Sequence, residues 1–178
     1  RDYDAERITS SSPKAVSKKD MIPYNYVYCS EAQQLANEMS TGNKTSSLMY
    51  GIQWDLVCKF LEVKGNWDTT TNTAQYYIKT NSTSWGNYND ITFTINSANA
   101  KKYNSSNKSC DDITGNKASS SSILLTTGAS EQNKKMNIYD FAGNEWEWTL
   151  EKTSNTDLPC SFRGGFYIVG NSATPASY

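Results

Sequence analysis

The chain of 178 residues has 37% hydrophobic and 12% aromatic residues, a formal net charge of −1 and no histidine. This length suits one domain with its own core, and the aromatic residues supply apolar area that a disordered chain lacks. The charge balance provides no basic patch for nucleic acid, and no apolar run approaches the roughly 18 residues expected of a membrane span. Without histidine, Ser-His, Cys-His and His-metal chemistry within this chain is excluded.

The first 20 residues are predicted to form an N-terminal arm, because Ser10–Pro13 interrupts any periodic pattern. Residues 21–178 are predicted to form a single domain. We expect the chain to be a piece of a longer protein at both ends, since Arg1 stands in place of an initiator Met. The alternation in Tyr24–Cys29 then predicts a short strand.

Two helices are predicted next. Ser30 with Gln33 forms a capping-box pattern, and Ala32, Leu35, Ala36 and Met39 give a helical stripe over about 31–40, before Gly42. A second stripe predicts a helix over about 50–63 that ends before Gly65; its members are Trp54, Val57, Cys58 and Leu61.

Residues 65–135 are rich in Asn, Ser, Thr and Gly, with short hydrophobic islands at 76–78, 91–95 and 123–125. Such a segment is predicted to be mostly irregular. Because it cannot build a core of its own, we expect its islands to pack on the rest of the domain. A loop region of this length in a compact domain usually has a function.

The stretch after this segment is the most distinctive part of the chain. Gly143-Asn-Glu-Trp-Glu-Trp148 and the later Arg163-Gly-Gly165 resemble motifs of the sulfatase-modifying-factor family, which includes the formylglycine-generating enzymes. Pro23–Ala36 and Leu48–Asp55 resemble upstream motifs of this family in the same order. The resemblance implies an α+β, C-type-lectin-like domain with two helices, long irregular loops, and a small twisted antiparallel sheet containing Glu145–Leu150.

The segment 140–147 is also a candidate calcium loop, since Ca²⁺ binds carboxylates and turn carbonyls of short irregular segments. The formylglycine-generating enzymes hold a Ca²⁺ at this place. The resemblance implies as ligands the Asp140 side chain, the carbonyl groups of Phe141, Gly143 and Glu145, and the Glu147 carboxylate. The alternative is structural: the carboxylates accept loop N–H groups or pair with Arg163, whose paired glycines allow close backbone approach.

Trp146 and Trp148 lie two residues apart, so in a strand they face one side and Glu147 faces the other. They suit either a sugar-stacking platform or a buried core. The aromatic richness of the strand favours the core.

The cysteines bear on catalysis. Formylglycine formation needs two thiols that bind Cu(I), and in the family both follow the Arg-Gly-Gly motif. Here Cys29, Cys58, Cys110 and Cys160 all precede it, so we expect no catalytic residue and no copper. Cys58 is predicted to be a buried thiol. Cys110 and Cys160 suit either a disulfide or free thiols, and we favour free thiols.

The candidate ligand-binding residues follow the paired glycines: Phe166, Tyr167, Ile168, Val169, Asn171 and Ser172. In a strand, alternate residues of 166–169 would be exposed and form a binding patch; a buried edge strand is the alternative. Variable proteins of diversity-generating retroelements, which share this fold, concentrate changeable residues in the same region. Residues 166–172 are compatible with that composition.

These observations predict a non-enzymatic receptor-binding or adhesion domain that presents its C-terminal loops to a protein or glycan on a cell surface. The expected location is extracellular, on a cell surface or on a virion, for example a phage tail. Two alternatives stay open: a thiol oxidase of the formylglycine-generating type, and a purely structural virion domain.

Overall fold

The computed structural model describes residues 14–107, 109–154, 160–170 and 174–178. This part of the chain forms a small α+β domain with three α-helices and four two-stranded antiparallel sheets. The helices are α1 (Cys29–Glu38), α2 (Gly51–Lys64) and α3 (Ala74–Lys79). The strands are β1 (Phe93–Ile95), β2 (Lys101–Asn104), β3 (Ser109–Asp112), β4 (Gly115–Lys117), β5 (Lys134–Lys135), β6 (Ile138–Tyr139), β7 (Glu147–Lys152) and β8 (Cys160–Arg163). The α+β class predicted from the sequence is confirmed at this level.

Helix α1 begins two residues earlier than predicted. The Glu31 carboxylate accepts the backbone N–H of Tyr28 at 2.7 Å, so Glu31 and not the predicted Ser30–Gln33 pair organises the first turn. Leu35 is buried on the predicted stripe, and Ala32, Ala36 and Met39 are half-buried beside it.

Helix α2 carries the main core, as its stripe predicts. Trp54, Cys58 and Leu61 are buried, and the Trp54 ring stacks on Phe141 with ring centres 3.9 Å apart. The same core contains Ile78 of α3 with Trp85 and Tyr88, which follow it. This part of the 65–135 segment therefore packs on the rest of the domain, as expected.

The remainder of that segment behaves differently from the prediction. Phe93 and Ile95 of β1 form a second core with Ala100, Leu125 and Ala129, so this segment does build a small core of its own. Short antiparallel pairs make this possible, because β1 pairs with β4 and β2 pairs with β3. Lys117 is buried beneath this core, where its ammonium group donates to carbonyl oxygens of neighbouring loops, including Tyr88 O at 2.6 Å and Ile91 O at 3.0 Å.

The Gly143-Asn144 turn joins the two cores. The Asn144 side chain mimics a strand neighbour of Leu125, accepting its N–H and donating to its carbonyl, both at 3.1 Å. Its oxygen also accepts the side-chain amide of Asn87 at 2.9 Å. Gly143 has φ +69°, and a Cβ there would overlap the backbone of Asn87. The Gly-Asn motif therefore has a structural role, because its contacts connect the two cores.

Strands β7 and β8 form the sheet that both long helices contact. The predicted Glu145–Leu150 strand is confirmed with a shift, since β7 covers Glu147–Lys152. A disulfide joins Cys29 at the start of α1 to Cys160 at the start of β8, with Cα atoms 6.4 Å apart. The prediction that Cys160 is a free thiol or pairs with Cys110 is therefore wrong: Cys110 is free and exposed, and Cys58 is free and buried.

The strand predicted over Tyr24–Cys29 is absent from the described residues, because Tyr26 has φ +59° and interrupts the extended backbone. The segment crosses the domain as an irregular strip and leads directly into α1. Before it, residues 14–19 carry no regular secondary structure, and the Asp20 N–H donates to Thr127 O at 3.0 Å. The rest of the predicted arm, residues 1–13, lies outside the described residues.

Candidate functional site

Two neighbouring cavities lie beside the start of β7. The first, which we call the aromatic cavity, has a volume of about 300 Å³. Its lining residues are Tyr24, Asn25, Tyr26, Val27, Glu145, Trp146, Trp148, Phe162, Phe166 and Tyr167. Seven of these ten residues are aromatic, so any occupant meets ring faces and edges on most sides.

Trp146 is the centre of this ring cluster. The rings of Phe162 and Phe166 pack against it with centroid separations of 4.5 and 4.6 Å. Trp148 meets Phe162 edge-on, and its indole N–H donates to the Val27 carbonyl at 3.0 Å. Both tryptophans are half-buried, so the expectation that one or both belong to the buried core is wrong.

The charged group of the aromatic cavity is Glu145. Burial raises the pKa of its carboxyl to about 7, although hydrogen bonds from its neighbour Trp146 and from the Asn25 side chain lower it. Burial and the nearby Glu145 carboxylate also raise the pKa of Tyr167 to about 12, so that hydroxyl stays neutral. None of the residues that line the cavity is Lys or Arg.

The structure places only two of the predicted ligand-binding residues in the wall of the aromatic cavity. Residues 166–169 form a turn and not a strand, closed by a bond from the Val169 N–H to Phe166 O at 3.2 Å, so both strand interpretations are wrong. Phe166 and Tyr167 line the aromatic cavity. Ile168 is exposed on the turn and Val169 is half-buried. Asn171 and Ser172 lie outside the described residues.

The second cavity, which we call the acidic cavity, has a volume of about 350 Å³. Its lining includes Asp140 and Glu147, the two predicted carboxylate ligands of calcium, and Glu145, which was predicted to contribute its carbonyl group. The opposite wall is apolar and includes Leu35 and Met39 of α1. Tyr24, Val27, Glu145, Trp146 and Trp148 border both cavities, so the two share one wall.

The carboxyl groups of the acidic cavity are held in an environment that opposes their ionisation. Burial raises the pKa of Asp140 to about 6, although its Oδ2 accepts the Gly128 N–H at 2.7 Å. Burial, together with the charges of Glu145 and Asp140, raises the pKa of Glu147 well above its usual range. Glu147 Oε2 is inaccessible to solvent and has no hydrogen-bond partner among the described residues.

Two residues whose carbonyl groups were predicted to bind calcium make structural contacts through other atoms. The ring of Phe141 belongs to the main core, and the Gly143 N–H donates to Gly164 O at 2.6 Å. Within the described ranges, no three His, Cys, Asp or Glu side chains are grouped as a metal site requires. The orphaned oxygen of Glu147 suits a cation, but side-chain movement would be needed to surround one.

Arg163 does not pair with Glu147, which corrects one of the structural alternatives. Its guanidinium binds the Glu151 carboxylate, donates to Ser177 O at 3.1 Å and lies 3.8 Å from Asp55. The predicted close approach at the glycine pair is confirmed, since a Cβ on Gly164 would overlap Glu147 Oε2. Glu147 therefore packs over a glycine with no counter-charge.

Sequence reasoning missed one wall of the aromatic cavity, formed by Tyr24, Asn25 and Tyr26 together with Phe162. The tyrosine-rich strip was interpreted as a strand, and its wrapping against β7 depends on contacts distant in sequence. The available signal was the concentration of tyrosines beside Pro23.

No known protein family, curated protein or solved structure matches this chain. None of the helices in the described ranges combines the length and the apolar character needed to cross a membrane.

Proposed function

We propose that this chain is a non-enzymatic ligand-binding domain whose site is the aromatic cavity. The observation that carries the proposal is the half-buried cluster of Trp146, Trp148, Phe162 and Phe166 around a cavity of about 300 Å³. A concave, mostly aromatic surface with a few polar groups is the usual form of a ligand site. The cavity lies beside the C-terminal turn, which is the region predicted to face a partner.

A binding role is also supported by the state of the thiols, which bears on the oxidase alternative. Cys29 and Cys160 are joined in a disulfide, which leaves Cys58 and Cys110 free. Burial and the neighbouring Asp55 raise the pKa of Cys58 to about 11, so its thiol resists forming the thiolate that nucleophilic or copper chemistry needs.

The wider setting of the domain is proposed on the same basis. A C-type-lectin-like fold of the sulfatase-modifying-factor type accounts for the two long helices α1 and α2 against the β7–β8 sheet with long irregular connections. The predicted two helices and one sheet leave out the short helix α3 and three further two-stranded sheets. The disulfide supports an extracellular, cell-surface or virion location, because disulfides persist in oxidising compartments. The partner is a protein or glycan on a cell surface, and the diversity-generating-retroelement or phage-tail origin remains part of this proposal.

Calcium binding in the acidic cavity is a separate proposal. Its support is the juxtaposition of Asp140, Glu145 and Glu147 and the orphaned oxygen of Glu147. A divalent cation would favour ionised carboxylates that burial alone disfavours. We expect added CaCl₂ to raise the melting temperature and a chelator to reverse the increase. An Asp140→Asn variant should lose most of this response, and a melting temperature insensitive to Ca²⁺ would contradict the proposal.

The binding function is tested with labelled protein on a glycan array and on a library of cell-surface ectodomains. Phe166→Ala, which opens the aromatic cavity, should abolish any binding that wild-type protein shows. Ile168→Ala, on the exposed turn outside the cavity, is the matched control and should bind normally. Loss only with Ile168→Ala would place recognition on the turn, and no selective binding to either set would favour the structural virion alternative.

A further inference from the structure

The aromatic cavity and the acidic cavity together have an unusual electrostatic character. Asp140, Glu145 and Glu147 face them, and neither set of lining residues includes Lys or Arg. Among the ion pairs of the described residues, none involves these three carboxyl groups. Lys134 and Lys19 lie at the edge of the acidic cavity, with their ammonium groups 5.4 and 6.0 Å from the centre of the Tyr139 ring. The region therefore concentrates carboxyl groups without a Lys or Arg in its walls, and a cation that enters would favour their ionised form.

The aromatic rings are a second feature that favours a cation as the ligand. The face of an aromatic ring carries negative electrostatic potential and attracts cations, most strongly for Trp. Trp146 and Trp148 form the wall that both cavities share, and Glu145 lies on the same wall. A cation in the aromatic cavity would thus lie among aromatic rings and beside the carboxyl group of Glu145.

The hydrogen-bonding groups of the aromatic cavity distinguish it from a sugar-binding site. A sugar needs several donors and acceptors in addition to a stacking face. In this cavity the Trp148 N–H is already bonded to Val27 O, and Asn25 is hydrogen-bonded to Glu145. The rings of Phe162 and Phe166 already pack against Trp146. The wall also carries tyrosine hydroxyls and the buried Trp146 indole N–H, which has no hydrogen-bond partner among the described residues, but aromatic ring area predominates.

We propose that the ligand of the aromatic cavity is an organic ammonium ion, with a quaternary alkylammonium group preferred, held against the wall formed by Trp146, Trp148 and Glu145. This inference rests on the binding function proposed above and narrows its ligand class. A quaternary ammonium carries diffuse charge on an apolar surface, so it loses little hydration on entering an aromatic cavity. A primary ammonium is strongly hydrated and is expected to bind more weakly.

The test is a calorimetric titration of the domain with choline and with its uncharged isostere, in which carbon replaces the quaternary nitrogen. Choline should bind at least about tenfold more tightly than the isostere, since the two differ in charge and hardly in shape. Equal affinities, or binding of neither compound, would overturn the inference. Acetyl-lysine amide with a free side-chain ammonium represents a primary ammonium and should bind more weakly than choline. Phosphocholine represents a lipid headgroup and should also bind more weakly, because the carboxylates repel its phosphate.

Two variants locate the site. Glu145→Gln keeps the shape and removes the charge, so it should reduce choline affinity about tenfold or more and leave the isostere unchanged. Glu62→Gln, on α2 away from both cavities, is the matched control and should bind choline like wild type. Tyr24→Leu, at the exposed rim, should weaken choline binding while the melting temperature stays constant. Unchanged choline affinity in Glu145→Gln would contradict the assignment.

The outcome also separates this inference from the binding function itself. If choline fails but a glycan or protein ligand is lost with Phe166→Ala, only the cation assignment is wrong. If no ligand of any class depends on Phe166, both proposals fail.

Discussion

At the scale of single residues, the contact between Gly164 and Glu147 is the sharpest constraint near the site. Gly164 has φ +95°, and a Cβ there would overlap Glu147 Oε2. Gly115 also has positive φ, +77°, but nothing lies within 4 Å of its Cβ position. A comparison of substitutions at these two glycines therefore distinguishes the cost of backbone strain from the cost of overlap with a side chain.

We predict that Gly164→Ala destabilises the domain more than Gly115→Ala does. Both variants pay for positive φ, at about 1–2 kcal/mol, and the overlap at Gly164 should add about 1–3 kcal/mol. Urea unfolding of the two variants measures the difference. Equal losses of stability would show that Glu147 moves away freely and is not held over the glycine.

The buried carboxyl groups predict an unusual pH dependence. The folded protein raises the pKa of Asp140 to about 6 and that of Glu145 to about 7, above their values in an unfolded chain. Each group therefore binds a proton in the folded state at a pH where the unfolded chain is still ionised. Stability should rise as the pH falls from about 7.5 to about 5, on the order of 1–3 kcal/mol.

Urea unfolding at the two pH values, without divalent cations, measures this effect. Asp140→Asn should remove part of the rise and leave the part that Glu145 contributes, whereas Asp112→Asn, at an exposed site, should leave the rise unchanged. Hydrogen bonds hold the pKa values of the half-buried Asp111 and the exposed Glu131 below their usual range, so their contribution is lost only at lower pH. A domain that becomes less stable between about pH 7.5 and about pH 5 would contradict the burial of these groups.

At the scale of secondary-structure elements, α2 is apolar on two faces. Its inner face contributes Trp54, Cys58 and Leu61 to the core. Its outer face exposes Ile52, Leu56, Phe60 and Val63, which lie on one side of the helix at spacings of three or four residues. The spacing of Trp54, Cys58 and Leu61 is enough to predict the helix and its inner face, and the large Trp54 marks that face as the buried one.

This arrangement predicts opposite results for two leucines of one helix. Leu61→Ala should cost about 2–5 kcal/mol, because Leu61 is fully buried and a cavity would remain. Leu56→Ala, at a position 62% exposed, should change stability by no more than about 0.5 kcal/mol. Thermal unfolding of both variants decides the matter. A large loss with Leu56→Ala would mean that the outer face is covered in solution.

The disulfide is the second element-scale feature, because it ties α1 to β8 across 131 residues of sequence. Closing so long a loop restricts the unfolded chain, and its removal typically costs about 2–5 kcal/mol. We expect Cys29→Ser to lower the melting temperature substantially and reduction of wild type to have the same effect. Cys110→Ser, at the exposed free thiol, should have no effect. A melting temperature indifferent to reductant would contradict the pairing.

At the scale of the whole molecule, the helices and strands can be predicted from the sequence more accurately than the residues that meet at the candidate site. Helix α2 follows from short-range periodicity, and the strand after Asn144 is what the family resemblance implies; both are found with small shifts. The strand predicted at Tyr24–Cys29 fails because Tyr26 adopts positive φ, a choice that alternation does not encode. The cysteine pairing depends on how α1 meets β8, which no local pattern specifies.

The same distinction explains the site. Phe166 and Tyr167 were identified from their place after the paired glycines, but the cavity they line requires residues from three distant segments. Trp146 and Trp148 resembled core residues because their spacing fits a strand face. They instead line the cavities because the irregular strip before α1 leaves space beside them.

The proposal that ligands enter the aromatic cavity can be tested with the five tryptophans of the chain. Trp146 and Trp148 line the cavity, whereas Trp54, Trp67 and Trp85 belong to or pack against the main core. The measurement is the NMR spectrum of the five indole N–H groups during titration with a ligand selected by the array. We predict that the Trp146 and Trp148 signals shift with saturation and that the other three stay in place. Shifts confined to Trp54, Trp67 or Trp85, or bound ligand without any indole shift, would contradict the claim.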